Sequence, residues 1–313
     1  MNNEIISFAA QKFDLGKVKE IKALETKGDR KVYKVYTDKG MFIVKASASG
    51  YDEKIIAKDI YILEYLKKYK FNAPRLLMTS QGERVLNLAD RAIYVYEFIQ
   101  GSFPKPTPEY FVSLGKLLAN LHNIPADSYP YKSNFIPKKE LPKLIQNLKQ
   151  ITRTDQKEDA ERLIEEISSF PDLNNLPISI IHTDPYFSNI IQNDTELFLI
   201  DLDDAGVAPA IIDVGYVLAH CCTTEPGDRE KLKTDGEGIV WHQDWAECFL
   251  KAYQKIRKLS EEEIKLLPFA ARFGMLVYIT DWEVKHSLSK TRLERYKLLS
   301  KHVPALLDSN IYW

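Results

Sequence analysis

The sequence predicts an α+β protein with a small, sheet-rich N-terminal lobe and a larger, mostly helical C-terminal lobe. Apolar and polar residues alternate through much of the first part of the chain, as in half-buried strands. After Gly101 the apolar residues recur at helical spacing instead. A short connector at about residues 97–101 separates the two patterns. We therefore predict one lobe over residues 1–98 and a second over residues 99–313.

The N-terminal lobe begins with a hairpin and continues with a helix and further strands. "KVYKVYTDKGMFIVKAS" contains two period-2 stretches joined by "DKG", which is typical of a β-hairpin. "EKIIAKDIYILEYLKKY" has apolar residues at helical spacing, and "APRLLMTSQGERVLNLADRAIYVYEFIQG" indicates further strands.

The C-terminal lobe is predicted to be helical because several capped, amphipathic segments follow one another. Thr107 followed by Pro108 is typical of a helix start and opens "PEYFVSLGKLLANLH". "TDQKEDAERLIEEISSF" is a second amphipathic helix. Two later pairs predict capping boxes at helix starts: Ser260 with Glu263, and Thr291 with Glu294.

Composition and charge exclude several classes of protein. The 313 residues carry 43 basic and 44 acidic side chains, so no strongly charged surface for nucleic acid or membrane is expected. The N-terminus lacks the pattern of a signal peptide, and no run approaches the roughly 18 apolar residues of a membrane span. Three cysteines make no disulfide framework, and we expect a cytoplasmic protein.

A zinc site is an alternative use of the histidines and cysteines late in the chain. His220, Cys221, Cys222, His242 and Cys248 supply the right atoms, but their spacing matches no familiar zinc pattern. Cysteine is often buried for packing alone, so packing is the favoured interpretation.

The stretch "IIHTDPYFSNIIQNDTELFLIDLD", residues 180–203, places polar side chains after two apolar runs. Asp184 and Asn189 lie on one loop, and Asp201 closes the next run. If residues 187–192 and 196–201 pair as a hairpin, Asp201 returns to the same end as Asn189. Carboxylate and amide oxygens are suitable ligands for Mg²⁺, and a nearby carboxylate can orient a hydroxyl that attacks a phosphate. The stretch therefore predicts a phosphoryl-transfer site.

The same residues resemble a known family. "HTDPYFSN" followed by "LFLID" is similar to the catalytic loop and metal aspartate of the aminoglycoside phosphotransferase and choline kinase family, and "IDLDDAGVAPAIIDVGYVLAH" resembles its next segment. "SLGKLLANLHNIP" also resembles a family helix, so the likeness runs from about residue 20 to about residue 255. It implies a bilobal protein-kinase-like fold and transfer of phosphate to a small molecule.

The resemblance implies roles for the motif residues. Asp184 would be the catalytic carboxylate, and Asn189 and Asp201 would bind Mg²⁺. His182 would brace the loop, Asp213 would tie down the segment after the metal site, and Asp203 would be a secondary site residue.

Nucleotide binding is implied for the N-terminal lobe. Lys45 in "MFIVKAS" would contact phosphates of ATP or GTP, and Ile43 on the same strand face would line the adenine pocket. Either Asp59 or Glu64 of the following helix would pair with Lys45, with Asp59 at the position that the family implies. The phosphate-covering loop would be "LETKGDRKVYKV", which contains Gly28.

The connector "YVYEFIQGS" resembles the family hinge. Backbone groups of Glu97, Phe98 and Ile99 would meet the adenine there.

Three departures from the family pattern bear on activity. Thr183 stands where the family usually has glycine, and Pro185 follows the catalytic aspartate. The loop around Gly28 has a single glycine. These departures leave a catalytically weak or inactive scaffold as the alternative to a kinase, whereas a metal-dependent hydrolase would need more clustered carboxylates or histidines.

The acceptor pocket is expected in the C-terminal lobe, where acids and tryptophans are concentrated. Such side chains suit a cationic or sugar-like acceptor. An amino alcohol, an amino acid such as homoserine, an aminoglycoside-like sugar and a nucleoside remain open. The candidate residues are Glu237, Trp241, Asp281 and Trp282.

Overall fold

A computed structural model of the protein describes residues 2–26, 28–194, 196–225, 238–280 and 286–308. The chain forms two compact units, the first from residues 1–102 and 193–203 and the second from residues 103–192 and 204–313. The division at residue 98 stays a prediction about domains. The compact units add one feature to it, because a short segment from the middle of the chain belongs to the first unit.

The first unit contains a five-stranded antiparallel sheet in the order β1-β2-β3-β5-β4. Its strands are β1 (Val18–Leu24), β2 (Lys31–Thr37), β3 (Met41–Ala46), β4 (Leu86–Leu88) and β5 (Arg91–Glu97). The predicted hairpin is confirmed as β2 and β3, which pair from Lys31 with Ala46 to Tyr36 with Met41. In the next pair of strands Lys45 lies opposite Tyr94, so both residues belong to the middle of the sheet.

One face of this sheet is covered by an N-terminal helix that the sequence analysis did not predict. Helix α1 (Asn2–Lys12) and the residues after it contribute buried apolar side chains to a core with β2, β3 and β5. Val44 and Ala46 of β3 belong to that core. Since side chains alternate along a strand, Ile43 and Lys45 lie on the opposite face.

Helix α2 (Glu53–Lys68) confirms the predicted helix after the hairpin. Asp52 caps its N-terminus, where the Asp52 side chain accepts a hydrogen bond from the Lys54 N–H at 2.9 Å. Its buried face includes Ile56, Ile62 and Leu66, and also the acidic residue Asp59. An aspartate among apolar residues on a buried helix face indicates a specific electrostatic environment.

The second unit is mostly helical. Its helices are α3 (Pro108–His122), α4 (Pro137–Leu148), α5 (Lys157–Ser168), α6 (Ile211–Tyr216), α7 (Gln243–Gln254), α8 (Glu261–Leu276) and α9 (Lys290–Asp308). A π-helical turn, Val217–Cys221, follows α6. Short strands add β6 (Ile178–Ile181), which pairs antiparallel with β9 (Gly206–Pro209), and the pair β10 (Thr223–Thr224) and β11 (Val240–Trp241).

The predicted hairpin after the candidate loop is confirmed with shorter strands. They are β7 (Ile190–Asn193) and β8 (Glu196–Leu199), which form a two-stranded sheet. Residues 187–189, predicted as strand, form a 3₁₀ turn instead. Asn189 therefore ends a tight turn and is held by local hydrogen bonds.

Two glycines allow helices of the second unit to approach closely. A Cβ atom on Gly115 of α3 would lie 2.4 Å from the Phe249 carbonyl oxygen of α7. A Cβ atom on Gly215 of α6 would lie 2.4 Å from the carbonyl carbon of Ala270 in α8. The backbone of the neighbouring helix cannot move aside as the end of a flexible side chain can. Residues larger than glycine are therefore excluded at both positions.

The cap predictions had mixed outcomes. Thr107 caps α3, and Ser260 with Glu263 forms the predicted capping box of α8. The capping box at Thr291 is wrong, because α9 already begins at Lys290. Ser289 lies at the start instead, and its hydroxyl accepts a hydrogen bond from the Arg292 N–H at 3.5 Å.

Within the part of the chain that is described, none of the helices combines the length and the apolar character needed to cross a bilayer.

Replacing Gly215 with Ala should destabilise the protein by about 2 kcal/mol or more, since the added methyl group must displace the backbone of α8. Gly274→Ala is the matched control on the same helix pair, because its Cβ would lie 3.4 Å from its nearest neighbour, an ordinary contact. Urea unfolding of both variants measures the difference. Equal stability of the two variants would contradict the proposed close approach.

Candidate active site

The loop that carries Asp184 begins where strand β6 ends. Residues 182–189, here called the Asp184 loop, connect β6 to β7 in the second unit. His182, Thr183 and Asn189 of this loop are buried. Because the loop is irregular, its buried backbone N–H groups need acceptors that the secondary structure does not supply.

Asp213 supplies those acceptors from helix α6. Its Oδ2 accepts a hydrogen bond from the His182 N–H at 2.7 Å, and its Oδ1 accepts one from the Thr183 N–H at 2.8 Å. The side chain of Asp213 is fully buried. The resemblance implied that Asp213 would tie down the segment after the metal site. The contacts show that it holds the backbone that precedes Asp184.

His122, at the end of α3, is the third partner of Asp213. Its Nε2 lies 3.2 Å from Asp213 Oδ2, and its Nδ1 lies 2.7 Å from the Tyr253 hydroxyl. Burial lowers the pKa of His122, although the hydrogen bond and charge of Asp213 oppose this effect. The link of His122 to Asp213 was not predicted from the sequence.

Thr183 has a backbone conformation that is unfavourable for its residue type. Its φ is +78°, in the left-handed region where glycine is favoured and a β-branched residue is rare. The two hydrogen bonds to Asp213 on either side of Cα 182 keep the chain in this conformation. The family's glycine at this position therefore has a physical reason, and Thr183 pays a conformational cost.

Asp184 is fixed by hydrogen bonds within its own loop. Its N–H donates to His182 Nδ1 at 3.3 Å. The Asn189 side-chain amide donates from Nδ2 to the Asp184 carbonyl oxygen and to Asp184 Oδ2, each at 2.9 Å. Because two oxygen atoms face Nδ2, the amide orientation is determined, and Asn189 Oδ1 is left to accept or to coordinate a cation.

Asp201 follows strand β8 in the first unit. It has φ +59°, which aspartate tolerates better than most residues, and 58% of its side chain is exposed. Its carboxylate and the Asn189 amide oxygen are both hard oxygen donors of the kind that Mg²⁺ prefers. The donor chemistry therefore fits the predicted metal.

A cluster of charges surrounds Asp203 in the first unit. The Lys45 ammonium group donates to Asp203 Oδ1 at 3.0 Å and to Oδ2 at 3.1 Å, and lies 3.9 Å from Asp201 Oδ1. Arg30 donates to Asp203 Oδ2 at 2.6 Å, and Lys58 of α2 donates to the Asp203 carbonyl oxygen at 3.0 Å. We call Arg30, Lys45, Lys58 and Asp203 the Asp203 cluster.

The charges of this cluster keep Lys45 protonated. Burial by itself lowers the pKa of Lys45, but the negative charges of its neighbours, chiefly Asp203, outweigh burial and raise the pKa. Burial likewise opposes ionisation of Asp203, but Lys45 and Arg30 hold its pKa below the ordinary value. Three cations thus converge on Asp203, and Asp201 also lies near Lys45. This concentration of positive charge is a suitable arrangement for a more highly charged anion.

Neither helix acid pairs directly with Lys45 among the described residues. Glu64 forms an ion pair with Arg84 at 2.8 Å instead. Asp59 is buried, and its Oδ1 has no hydrogen-bond partner in the described part of the chain. Burial, followed by the charge of Asp203, raises the pKa of Asp59 to about 7. The positive charge of Lys45 acts to lower the pKa of Asp59, but the hydrogen bonds of Lys45 go to Asp203.

The loop between β1 and β2 contains Gly28, and its role as the phosphate-covering loop stays a prediction. Gly28 has φ +70° and no atom within 4 Å of its Cβ direction, so it serves a turn. Asp29 anchors this loop, because its carboxylate accepts a hydrogen bond from Arg91 at 2.5 Å. Arg30, the next residue, reaches Asp203. Arg30 was not predicted to belong to the site. The signal for it in the sequence is a cationic side chain close to the loop glycine.

Some N–H groups of the hinge backbone already donate hydrogen bonds within the first unit. The Glu97 N–H donates to the Arg75 carbonyl at 2.9 Å, and the Phe98 N–H donates to the Met41 carbonyl at 3.3 Å. These two N–H groups are therefore occupied in the structure. The role of Glu97, Phe98 and Ile99 in binding adenine stays a prediction, and the Ile99 N–H is its best remaining donor.

The predicted acceptor residues are only partly described. Trp241 lies in β11, and its ring stacks on His302 with centroids 5.9 Å apart. Glu237, Asp281 and Trp282 lie outside the described residues. Their assignment to acceptor binding stays a prediction.

Comparison with known proteins identifies the family. The model of the phosphotransferase enzyme family matches residues 20–248. Homoserine kinase of Beijerinckia indica is 24% identical over 280 residues, which cover 86% of this chain and 83% of that protein. Homoserine kinase of Rhodospirillum rubrum is 25% identical over 284 residues, with coverage of 86% and 83%.

Solved structures share the fold. A spectinomycin phosphotransferase in complex with ADP and spectinomycin has a TM-score of 0.65 at 15% identity, covering 98% of this chain and 97% of that one. A choline kinase from Cryptosporidium parvum has a TM-score of 0.65 at 13% identity, with coverage of 99% and 98%. The α+β, kinase-like fold class is confirmed.

The chain belongs to the phosphotransferase enzyme family and is a small-molecule kinase. The resemblance that the sequence motifs indicated is thereby confirmed.

Thr183→Gly should be more stable than Thr183→Ala by about 1 kcal/mol, because glycine adopts φ +78° without strain and alanine does not. Both variants remove the same side-chain atoms beyond Cβ. Their difference in unfolding free energy therefore reports the cost of the backbone conformation. Urea unfolding at one pH measures it. An alanine variant that equals or exceeds the glycine variant would show that Thr183 is not strained.

Proposed function

We propose that the protein transfers the γ-phosphate of ATP, with Mg²⁺, to the hydroxyl group of a small amino alcohol or amino acid. Homoserine is the first candidate acceptor, because curated relatives that span most of the chain are homoserine kinases. An aminoglycoside-like sugar and GTP are the alternatives for acceptor and donor. The observation that carries the proposal is the Asp184 loop, in which a carboxylate and an amide are fixed by hydrogen bonds to each other.

The proposed reaction is an in-line displacement at the γ-phosphorus. The acceptor oxygen forms a bond to phosphorus while the bond to the oxygen that bridges the β- and γ-phosphates breaks, and ADP leaves with the electron pair. Asp184 accepts a hydrogen bond from the acceptor hydroxyl and so orients its lone pair toward phosphorus. The proton released from the hydroxyl passes to Asp184 or to solvent.

Each unit contributes distinct groups in this proposal. From the first unit, Lys45 and Arg30 contact phosphate oxygens in place of Asp203, and Asp201 binds Mg²⁺. From the second unit, Asn189 offers its amide oxygen to Mg²⁺ and keeps its Nδ2 on Asp184. When bound, Mg²⁺ neutralises charge on the phosphates.

Asp59 has a supporting role in the proposal. A nucleotide that displaces Lys45 from Asp203 leaves Asp59 as a nearby buried carboxyl group that Lys45 can approach. With a pKa of about 7, Asp59 can ionise at small cost when it gains such a partner. The pairing that the resemblance implies would then form only with nucleotide bound.

The second candidate function is a catalytically weak or inactive scaffold. Two observations favour it: Thr183 is strained beside Asp184, and Lys45 is already engaged by a carboxylate. A scaffold would not phosphorylate any acceptor, whether or not it binds nucleotide.

Purified protein with Mg²⁺ and ATP or GTP should form nucleoside diphosphate only when a suitable acceptor is added. The acceptor panel contains homoserine, amino alcohols, aminoglycosides and nucleosides, and a coupled assay measures diphosphate release. Asp184→Asn should lower kcat by about 10³-fold or more with nucleotide affinity nearly unchanged, because the group that orients the hydroxyl is lost.

Lys45→Ala in the same assay should chiefly weaken nucleotide use, since it removes a phosphate contact. Lys39→Ala, a lysine of the first unit paired with Asp14, is the matched control.

Acceptor-dependent turnover that survives in Asp184→Asn would contradict the assignment of Asp184. No turnover with any acceptor, together with nucleotide binding, would favour the scaffold.

A further inference from the structure

A tyrosine at the end of helix α6 contacts the carboxylate of Asp184. The Tyr216 hydroxyl donates a hydrogen bond to Asp184 Oδ1, within the second unit. We infer that Tyr216 is a positioning residue for phosphoryl transfer, which holds the Asp184 carboxylate in the orientation that receives the acceptor hydroxyl. This inference rests on the proposed function, and neither the sequence motifs nor the family resemblance assigned a role to Tyr216.

The Asp184 carboxylate is held at both of its oxygens. Tyr216 donates to Oδ1, and Asn189 Nδ2 donates to Oδ2 at 2.9 Å. With a donor on each oxygen, rotation of the carboxylate about its Cβ–Cγ bond breaks two hydrogen bonds. A carboxylate oxygen can accept more than one hydrogen bond, so a donor on each oxygen does not by itself exclude a hydrogen bond from substrate. The pair of donors thus fixes the direction of the carboxylate.

The Tyr216 ring is fixed by its own neighbours. His220 stacks on it with ring centroids 4.3 Å apart and planes 28° apart. His220 Nε2 in turn lies 2.9 Å from the Gly274 carbonyl oxygen of α8, which requires a proton on that nitrogen. The stacked histidine lies on the π-helical turn Val217–Cys221, which brings it over the tyrosine ring. Helical π-turns of this kind are frequent at functional sites.

The α6 backbone is anchored at two residues that precede Tyr216. Asp213 on the same helix binds the N–H groups of His182 and Thr183. Gly215 lies against Ala270 of α8 at a distance that admits no side chain. Helix α6 therefore holds the Asp184 loop at two points, through the backbone by Asp213 and through the carboxylate by Tyr216. Such doubly supported groups retain the narrow geometry that transfer reactions require.

The phenol acts as a permanent donor. Burial and the negative charge of Asp184 raise the pKa of Tyr216, so the hydroxyl keeps its proton throughout the physiological range.

Tyr216→Phe tests the inference because it removes the hydroxyl and keeps the ring that stacks on His220. We expect kcat with the best acceptor of the panel to fall about 10- to 100-fold, while the KM for nucleotide stays within about twofold of wild type. Tyr110→Phe is the matched control, since the buried Tyr110 hydroxyl has no hydrogen-bond partner among the described residues. This control should retain the kcat of wild type.

A merely structural role would lower the melting temperature and the amount of active protein without this split between kcat and KM. A kcat for Tyr216→Phe within about twofold of both wild type and Tyr110→Phe would overturn the inference, provided that wild type turns over.

A thermodynamic cycle separates failure of this inference from failure of the proposed function. The cycle compares the unfolding free energies of wild type, Tyr216→Phe, Asp184→Ala and the double variant without any substrate. Non-additive changes support the contact, even if no acceptor is turned over. Additive changes would show that Tyr216 does not hold Asp184, and would overturn the inference even in an active kinase.

Discussion

A single buried carboxylate organises the candidate active site of the second unit. Asp213 accepts the backbone N–H groups of His182 and Thr183 and the imidazole of His122. An irregular loop cannot bury its backbone without such an acceptor, and an ionised carboxylate serves two donors at once. The anchor holds Thr183 in its left-handed conformation, and the next residue, Asp184, is bound through its carbonyl oxygen to Asn189. Its loss would release the loop that the proposed reaction needs.

The first unit brings several cations close together around Asp203. The Asp203 carboxylate compensates the positive charges of Lys45 and Arg30, and its carbonyl oxygen accepts a hydrogen bond from Lys58. Asp59 remains close by as a buried carboxyl group with a raised pKa. The Asp203 carboxylate thereby compensates a concentrated positive charge, and in the proposed function phosphate oxygens take its place.

Features that depend on local pattern could be predicted from the sequence. The β2–β3 hairpin, helix α2, the Thr107 cap and the Ser260 capping box follow from alternation, helical spacing and end residues. The Thr291 cap failed because the helix begins one residue earlier, where the Ser289 hydroxyl accepts the Arg292 N–H without a capping-box partner. The family followed from the resemblance of "HTDPYFSN" and "LFLID" to the motifs of that family.

Features that depend on contacts between distant residues could not be predicted. The partner of Lys45 is Asp203, far along the chain, rather than an acid of the adjacent helix. Tyr216 reaches Asp184 from a helix that the sequence marks only as apolar. His122 is a helix-end residue by pattern and an Asp213 partner by fold. One sequence gives the types of these residues, but not their pairings.

The role of Asp213 as the anchor of the Asp184 loop is the central claim, and hydrogen exchange in Asp213→Asn tests it most directly. Asparagine keeps the shape but replaces one acceptor oxygen with a donor group, so it cannot accept from both N–H groups. Exchange of the His182 and Thr183 amides, followed by NMR or mass spectrometry, should become at least tenfold faster than in wild type, while amides of the β1–β5 sheet stay protected. Unchanged protection of these two amides in a folded Asp213→Asn protein would contradict the account.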